Sequence, residues 1–234
     1  MTTTPGHSSS ATPTAPQNET AIRRVLHVGS GPARIEKLHR VFRTEGWKQV
    51  RIDLDPKMAP DLVLDISDMA ALQTDSFDAI WCSHCLEHLD EQKAERALGE
   101  FHRVLKPQGF ALITSPDLTQ VAELILEGRE ETVAYVSPAG DVRAIDMLFG
   151  FQPAIAAGNG FMRHNTGFTR KRLGRMMQAA GFAETRIIPG TSFDLWAAGF
   201  CAEADIGLIA DALADAGLDL RPSNGQPAAR DKAR

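Results

Sequence analysis

The chain has 234 residues, of which 43% are hydrophobic and 24% are charged, a composition typical of a globular protein. Its 30 acidic and 25 basic residues give a net charge of −5 and a pI near 5.8. The chain as a whole therefore lacks the positive charge that attracts duplex nucleic acid or an anionic membrane. Its three cysteines are too few for a disulfide framework, which favours reduced thiols and a cytoplasmic location.

The two ends of the chain differ in composition from its middle. Residues 1–20 are rich in Ser, Thr and Pro and contain no apolar stretch of the kind a signal peptide needs. We expect residues 1–20 and 218–234 to be disordered tails that flank one domain at residues 21–217. No stretch approaches the roughly 20 apolar residues that span a bilayer, so no membrane association is expected.

Short apolar runs alternate with amphipathic segments from residue 23 onward. This alternation predicts an α/β domain: a doubly wound, mostly parallel, Rossmann-like sheet between two layers of helices. The predicted strands are residues 24–28, 50–54, 62–64, 77–81, 110–114, 185–188 and 193–197. The predicted helices are residues 33–43, 90–106, 118–126, 169–180 and 202–216, with a turn at 107–109 before the fifth strand.

Residues 118–161 interrupt this regular pattern. The segment begins with a helical pattern and continues through residues 135–161, which contain many Gly, Pro and Ala residues. It follows the fifth strand, beside the edge of the sheet where ligands bind in such domains. We therefore predict that this insert forms a small cap over a substrate.

Small or polar residues follow each of the first four strands. Because ligands of doubly wound sheets bind outside the carboxyl ends of the strands, these residues are candidates for binding an adenosine-bearing ligand. A glycine-rich loop lets the backbone approach a ligand, and an ionised carboxylate can accept hydrogen bonds from both ribose hydroxyls. In strand order the candidates are Gly29, Ser30 and Gly31; Asp53, with Asp55 as its alternate; Asp65 and Ile66; and Cys82, Ser83 and His84.

Several motifs in the right order resemble class I S-adenosylmethionine-dependent methyltransferases of the type 11 kind. VLHVGSGPAR resembles the glycine-rich first motif, IDLDP the ribose-binding acid, and FDAIWCSHCLEHLDE the fourth-strand segment. FHRVLKPQGFALITSP and HNTGFTRKRLGRMMQAAGF resemble later parts of the family. The resemblance implies a seven-stranded sheet and S-adenosylmethionine (SAM) as cofactor, and it adds His27 and Leu54 to the binding residues. At His27 and Ala33 the chain departs from the family, which usually has an acid and a glycine there.

Two histidines are candidates for a catalytic role. His84 follows the fourth strand at the mouth of the predicted site, where a neutral imidazole can accept a proton or orient the acceptor. His164 lies in the Gly-flanked segment NGFMRHNTGF, which is expected to approach the substrate as a lid. Glu87 and His88 are expected to be structural.

His84, Glu87 and His88 also form the pattern H-x-x-E-H, which occurs in a group of zinc peptidases. Such a site needs both histidines on one face of a helix and a further ligand from elsewhere. His84 follows the strand directly, before a helix is expected to begin, and Glu-His-Leu recurs at this position in methyltransferases. We therefore predict no metal.

The sequence favours an enzyme that transfers a methyl group from SAM to a small molecule. The fourth strand ends in Cys-Ser-His and not in the Asp/Asn-Pro-Pro-aromatic motif of many nucleic-acid methylases, so no nucleic acid is expected as substrate. The alternative is a protein with the same fold that binds SAM or a partner without catalysis. His27 supports this alternative because the family usually has an acid at that position. A nicotinamide oxidoreductase is disfavoured because no third glycine follows Gly29-Ser30-Gly31 in the required spacing. The acceptor atom and the oligomeric state stay open.

Overall fold

The computed structural model describes residues 22–221. A seven-stranded sheet runs through the domain, and a two-stranded hairpin lies in the insert. The strands of the sheet are β1 (Arg23–Val28), β2 (Trp47–Asp53), β3 (Leu62–Val63), β4 (Phe77–Ser83), β5 (Leu105–Pro116), β8 (Glu184–Pro189) and β9 (Asp194–Phe200); the hairpin is β6 (Val133–Ser137) and β7 (Gly140–Arg143). The order in the sheet is β3-β2-β1-β4-β5-β9-β8, and only β9 is antiparallel to its neighbours. The predicted seven-stranded α/β fold is confirmed.

Helices cover both faces of this sheet, and others lie in the insert. They are α1 (Glu91–Val104), α2 (Leu118–Leu126), α3 (Ala144–Phe149), α4 (Gln152–Ala156), α5 (Arg170–Ala179) and α6 (Ile206–Asp215). Helices α1 and α5 pack on one face through Phe101 and Leu173, while α6 packs on the other through Leu213. No helix among residues 22–221 is long and apolar enough to cross a membrane.

The sheet's order creates the place for a ligand. After β1 the chain first builds β2 and β3 on one side, and it then crosses to build β4 on the other side of β1. The loops that follow β1 and β4 therefore leave in opposite directions and open a crevice between them. The residues predicted to bind a cofactor follow these strands.

The helix predicted at residues 33–43 is wrong. The structure has two short 3-10 helices instead, Ile35–Lys37 and Arg40–Arg43, separated by extended backbone at Leu38 and His39. Side chains hold carbonyl groups that an α-helix would use: Trp81 Nε1, from β4, donates to Lys37 O at 2.7 Å, and Arg43 Nε, from the same segment, donates to Leu38 O at 2.6 Å. These contacts stabilise the extended backbone at Leu38 and His39 over a continuous α-helix.

Two further predictions need correction. Residues 107–109 are part of β5 and not a turn before it, because the strand absorbs them as an irregularity in its register with β4. The tail predicted from residue 218 begins too early, since Leu218 and Leu220 are buried in the core beside α6. The remainder of both predicted tails lies outside the described residues.

The insert has a hydrophobic core of its own. Val121 and Leu124 of α2 pack against Val142, Ala144 and Met147 of the hairpin and α3. Asp146, which is buried, holds this region through hydrogen bonds from the Arg143 backbone and guanidinium. The insert is thus built as a small packed unit beside the carboxyl end of β5.

Candidate active site

A cleft of about 1000 Å³ opens at the carboxyl ends of β1, β2 and β4. Its size suits a ligand of several hundred daltons. Nine of the ten residues predicted to bind the cofactor line it: His27, Gly29, Ser30, Gly31, Asp53, Leu54, Asp65, Ile66 and Ser83. His84 also lines the cleft, and Phe161 and Met162 reach it from the end of the insert.

The loop after β1 needs glycine at two positions. Gly29 has φ = 57° and Gly31 has φ = 59°, a left-handed conformation that favours glycine. A Cβ atom at Gly29 would overlap Cys85 Sγ, and one at Gly31 would overlap Lys37 Nζ. The loop therefore presents bare backbone to the cleft; a larger residue at Gly29 would meet the Cys85 side chain, whereas at Gly31 the flexible Lys37 side chain can move aside.

Asp53 joins this loop to the end of β2. Its Oδ2 accepts a hydrogen bond from Gly31 N at 2.8 Å, and its Oδ1 accepts one from Asp55 N at 2.9 Å. Each carboxylate oxygen has two lone pairs, so both oxygens can accept a further hydrogen bond from a ligand in the cleft. Arg51 supports the arrangement by donating to Gly31 O and Met58 O.

Asp65 and Ile66 form a mixed polar and apolar part of the wall. Ile66 is buried and presents an apolar surface, as an aromatic base requires. Asp65 Oδ1 accepts hydrogen bonds from Ser67 N and Oγ, and Oδ2 accepts one from Lys93 Nζ at 3.2 Å. Burial acts to raise the pKa of Asp65, but the Ser67 and Lys93 contacts outweigh it and the pKa is lowered. A ligand amine would therefore share this carboxylate with Lys93.

His27 occupies the position where the family usually has an acid. It is 3% exposed, and its Nδ1 lies 2.7 Å from Gln49 Nε2. Burial, together with the positive charges of Lys37 and Arg51, lowers the pKa of His27 to about 4. The imidazole is therefore neutral at pH 7 and supplies no charge to a ligand.

The structure separates Cys82 from the other candidates. Its side chain is completely buried in the core on the α1 face and does not line the cleft. Neighbouring side chains of a strand point to opposite faces, and both faces of this central strand are covered. Ser83, one residue later, lines the cleft and accepts a hydrogen bond from Thr114 Oγ1 at 3.0 Å.

His84 stands at the edge of the cleft with 46% of its side chain exposed. Its Nδ1 lies 3.3 Å from Oε1 of the buried Glu87. Enclosure by the cleft wall acts to lower the pKa of His84, but the carboxylates of Glu87 and Asp194 raise it above its ordinary value. With φ = 47° at His84 and a 3-10 turn at Leu86–His88, the H-x-x-E-H residues do not share an α-helical face.

His164 does not line the cleft. It lines an adjoining depression between the insert and the following segment, together with Arg143 and Arg163. Its Nδ1 lies 2.8 Å from Met147 O, and its ring packs against His88 with centroids 4.9 Å apart. The predicted direct contact of His164 with a substrate in the cleft is therefore not supported by its position.

The sequence did not predict a further wall of the cleft, which is formed by aromatic side chains. Trp81 and Trp196 stack with ring centroids 5.8 Å apart, and His39 lies 5.5 Å from each. All three line the cleft, as does Lys37. Trp81 and Trp196 were hidden within predicted strands, and His39 within the helix that does not form. Their place on the cleft follows from the pairing of distant strands, which local pattern does not reveal.

Comparison with known proteins identifies the fold and the domain. The profile of a family described as a methyltransferase domain matches residues 26–113, from the second half of β1 to the later part of β5. No curated protein matches the chain. Among solved structures, the CMeT domain of the citrinin polyketide synthase is similar with a TM-score of 0.52 at 14% identity, over 80% of this chain and 48% of that one.

Two further structures are similar over comparable parts of this chain. A SAM-dependent methyltransferase of Thermotoga maritima, described as a possible histamine N-methyltransferase, has a TM-score of 0.50 at 16% identity, over 76% of this chain and 81% of that one. An O-methyltransferase family protein of Burkholderia thailandensis has a TM-score of 0.51 at 15% identity, over 78% of this chain and 52% of that one. The chain thus spans about half the length of two of these three structures. Residues 26–113 thus match a methyltransferase domain, and the chain has the fold of solved SAM-dependent methyltransferases.

Proposed function

We propose that the protein binds SAM in the cleft and moves its methyl group to a small-molecule acceptor held between His84 and the insert. The observation that carries this proposal is the hydrogen bond between Gly31 and Asp53, which sets a bare backbone loop beside a carboxylate with free lone pairs. When bound, SAM supplies a methyl group on a positively charged sulfur that leaves as a neutral thioether.

The residues of the cleft fit this cofactor. Gly29 and Gly31 carry no side chain and line the cleft, so a ligand can approach their backbone closely. Asp53 can accept hydrogen bonds from ribose hydroxyls, and Ile66 offers an apolar surface to adenine. Lys37 provides a cation near the loop that can pair with the carboxylate of the amino-acid part.

The chain's own contribution to methyl transfer is to hold two reactants in line. Positioning of bound reactants supplies a large share of the rate in such displacements. Ser83 and His84 at the end of β4, with Phe161 at the end of the insert and Met162 after it, line the part of the cleft beyond the glycine loop. We assign this part to the acceptor and propose that His84 orients it.

A small acceptor fits the shape of this region better than a polymer does. The insert, residues 118–161, has its own core, and Phe161 at its end lines the cleft, as expected of a cap over a small substrate. Of the similar structures, one is described as a possible histamine N-methyltransferase and another as an O-methyltransferase family protein. The fold therefore does not select the acceptor atom.

The test is transfer of a labelled methyl group. Purified protein is incubated with SAM carrying a tritiated methyl group and a panel of small phenols, carboxylic acids, amines and activated carbon acids. We expect label in at least one acceptor, one S-adenosylhomocysteine (SAH) per methyl transferred, and loss of transfer in Asp53→Ala. Tight SAH binding without transfer to any acceptor would contradict the proposal and favour a binding protein without catalysis.

A further inference from the structure

Three potential metal ligands converge where the turn after β4 meets the segment after the insert. One ligand atom from each of Glu87, His88 and His164 lies within 4.8 Å of the other two. Glu87 and His88 belong to the short helix Leu86–His88, and His164 comes from a part of the chain 77 residues beyond Glu87. The three side chains therefore meet only through the fold.

Hydrogen bonds to backbone carbonyl groups hold the His164 segment against the Leu86–His88 turn. Asn165 N and Thr166 N both donate to Glu87 O, at 2.8 and 3.2 Å. Asn165 Nδ2 donates to His88 O at 2.7 Å. The segment that carries His164 is thus attached directly to the turn that carries the other two side chains, and the group is not formed by long side chains that happen to touch.

Both histidines are oriented as metal ligands usually are. Nδ1 of His88 lies 3.0 Å from Arg163 O, and Nδ1 of His164 lies 2.8 Å from Met147 O. A carbonyl oxygen can only accept, so the hydrogen of each neutral ring sits on Nδ1 and the lone pair on Nε2 is free. Metal-binding histidines commonly donate their other ring N–H to a backbone carbonyl in this way.

Glu87 supplies the independent observation. Its side chain is 1% exposed, and neither carboxylate oxygen has a hydrogen-bond partner among residues 22–221. His84 Nδ1 lies 3.3 Å from Oε1 but not in hydrogen-bond geometry. Apart from this ionic contact, the oxygens accept no hydrogen bond within residues 22–221, and buried carboxylates in proteins are usually hydrogen-bonded, paired or bound to a metal. One of its oxygens lies within 4.8 Å of a ring nitrogen of each histidine.

We propose that Glu87, His88 and His164 bind one divalent transition-metal ion, with His84 beside the carboxylate as its outer partner. Two imidazole nitrogens and one carboxylate oxygen suit Zn²⁺, Fe²⁺ or Co²⁺ and not Ca²⁺ or Mg²⁺, which prefer oxygen ligands. These residues revise the expectation from the sequence, in which the H-x-x-E-H pattern was assigned no metal. His164, and not His84, completes the set.

The position of the ion relates it to the cleft. His88 lines the cleft, and three protein ligands leave coordination positions open. An oxygen atom of the acceptor can occupy such a position, which makes hydroxyl or carboxylate compounds the favoured acceptor class. This step rests on the proposed function, whereas the metal site itself does not.

The test is a zinc titration of untagged full-length protein freed of metal by a chelator. We expect one Zn²⁺ per chain with micromolar or tighter affinity. Glu87→Gln and His164→Gln should each weaken binding at least tenfold, because removal of a ligand costs no less than the 10–100-fold loss seen for outer partners. His102→Gln, a histidine on α1 that packs against Phe182, is the control and should bind as the wild type does. Absence of binding, or equal binding in all four proteins, would overturn the proposal.

Two further measurements use the wild-type protein, so they test the metal site even if a variant folds poorly. Co²⁺ added to the wild type should give visible absorption bands of nitrogen and oxygen ligation, while strong near-ultraviolet charge-transfer bands would place the ion on cysteine and contradict the site. SAH binding to the metal-free wild type is measured separately. Failure of SAH to bind would remove the proposed function and leave the zinc result intact, and the reverse outcome would remove only the metal site.

Discussion

The amide of Gly31 donates a hydrogen bond of 2.8 Å to Oδ2 of Asp53 and so ties the loop after β1 to the end of β2. Because these strands pair in parallel with Val28 opposite Ile52, their carboxyl ends lie side by side at the cleft. The conformation of the glycine loop and the position of the Asp53 carboxylate therefore depend on each other. A change at either side of this hydrogen bond should affect both the shape of the loop and the binding of a ligand.

Replacement of Gly29 by alanine should destabilise the protein. The left-handed backbone disfavours alanine, and the added Cβ would overlap Cys85 Sγ, so we expect the free energy of unfolding to fall by about 1–3 kcal/mol. Gly99→Ala is the matched control. Gly99 lies inside α1 with no described atom within 4 Å of its Cβ position, so alanine should stabilise the helix by about 0.5–1 kcal/mol. Urea unfolding measures the free energy of unfolding of both variants. If Gly29→Ala is as stable as the wild type, the strained loop conformation is contradicted.

The sequence predicted the sheet well because the strands are short apolar runs bounded by turn residues. It failed at residues 33–43, where Leu38, Val41 and Phe42 have helical spacing and are buried as expected. A helix of this length is marginal by itself. Its carbonyl groups bind Trp81 and Arg43 instead, and the contact with Trp81 depends on a strand 44 residues away. Such competition is not visible in local periodicity.

Site residues could be predicted where they directly follow a strand in the sequence. They could not be predicted where the fold brings distant segments together. The glycines and Asp53 follow directly from strand ends. Cys82 was assigned to the site because a strand covered on both faces shows no alternation that tells inside from outside. The approach of His164 to Glu87 depends on hydrogen bonds between segments 77 residues apart, and no spacing rule connects them.

Stability should depend on pH through His27. Its pKa of about 4 in the folded protein lies below the ordinary value near 6.5, so the unfolded chain binds the proton more readily. The stabilisation is fully present above about pH 6.5 and is lost as the pH falls toward 4. Between pH 7 and pH 5 the contribution of His27 should fall by about 2 kcal/mol.

The variant His27→Gln should remove this share of the pH dependence. His39, whose pKa burial and nearby arginines also lower to about 4, provides the counterpart, since His39→Gln should remove a separate share. Urea unfolding at pH 7 and pH 5 measures both variants against the wild type. An equal loss of stability in wild type and His27→Gln would show that His27 titrates normally in the folded state.

The three cysteines should differ in reactivity. Cys82 is fully buried and Cys201 is 4% exposed, whereas Cys85 is partly exposed and lines the cleft. Burial also raises the pKa of the Cys82 thiol, and that of Cys201 to about 11, which reduces the reactive thiolate. Iodoacetamide should therefore label one cysteine of the native protein, and SAH should slow the reaction. Cys85→Ser should abolish labelling, and fast modification of Cys82 would contradict its place in the core.

Binding of the cofactor in the cleft is tested most directly by calorimetric titration with SAH. We predict micromolar binding to the wild type and a loss of about 1.5–3 kcal/mol in Asp53→Ala, roughly 10- to 150-fold, as expected for hydrogen bonds to a charged group. Asp68→Ala, an exposed carboxylate outside the cleft, should bind as the wild type does. No binding of SAH to the wild type, or equal affinity of the wild type and Asp53→Ala, would contradict the site described here.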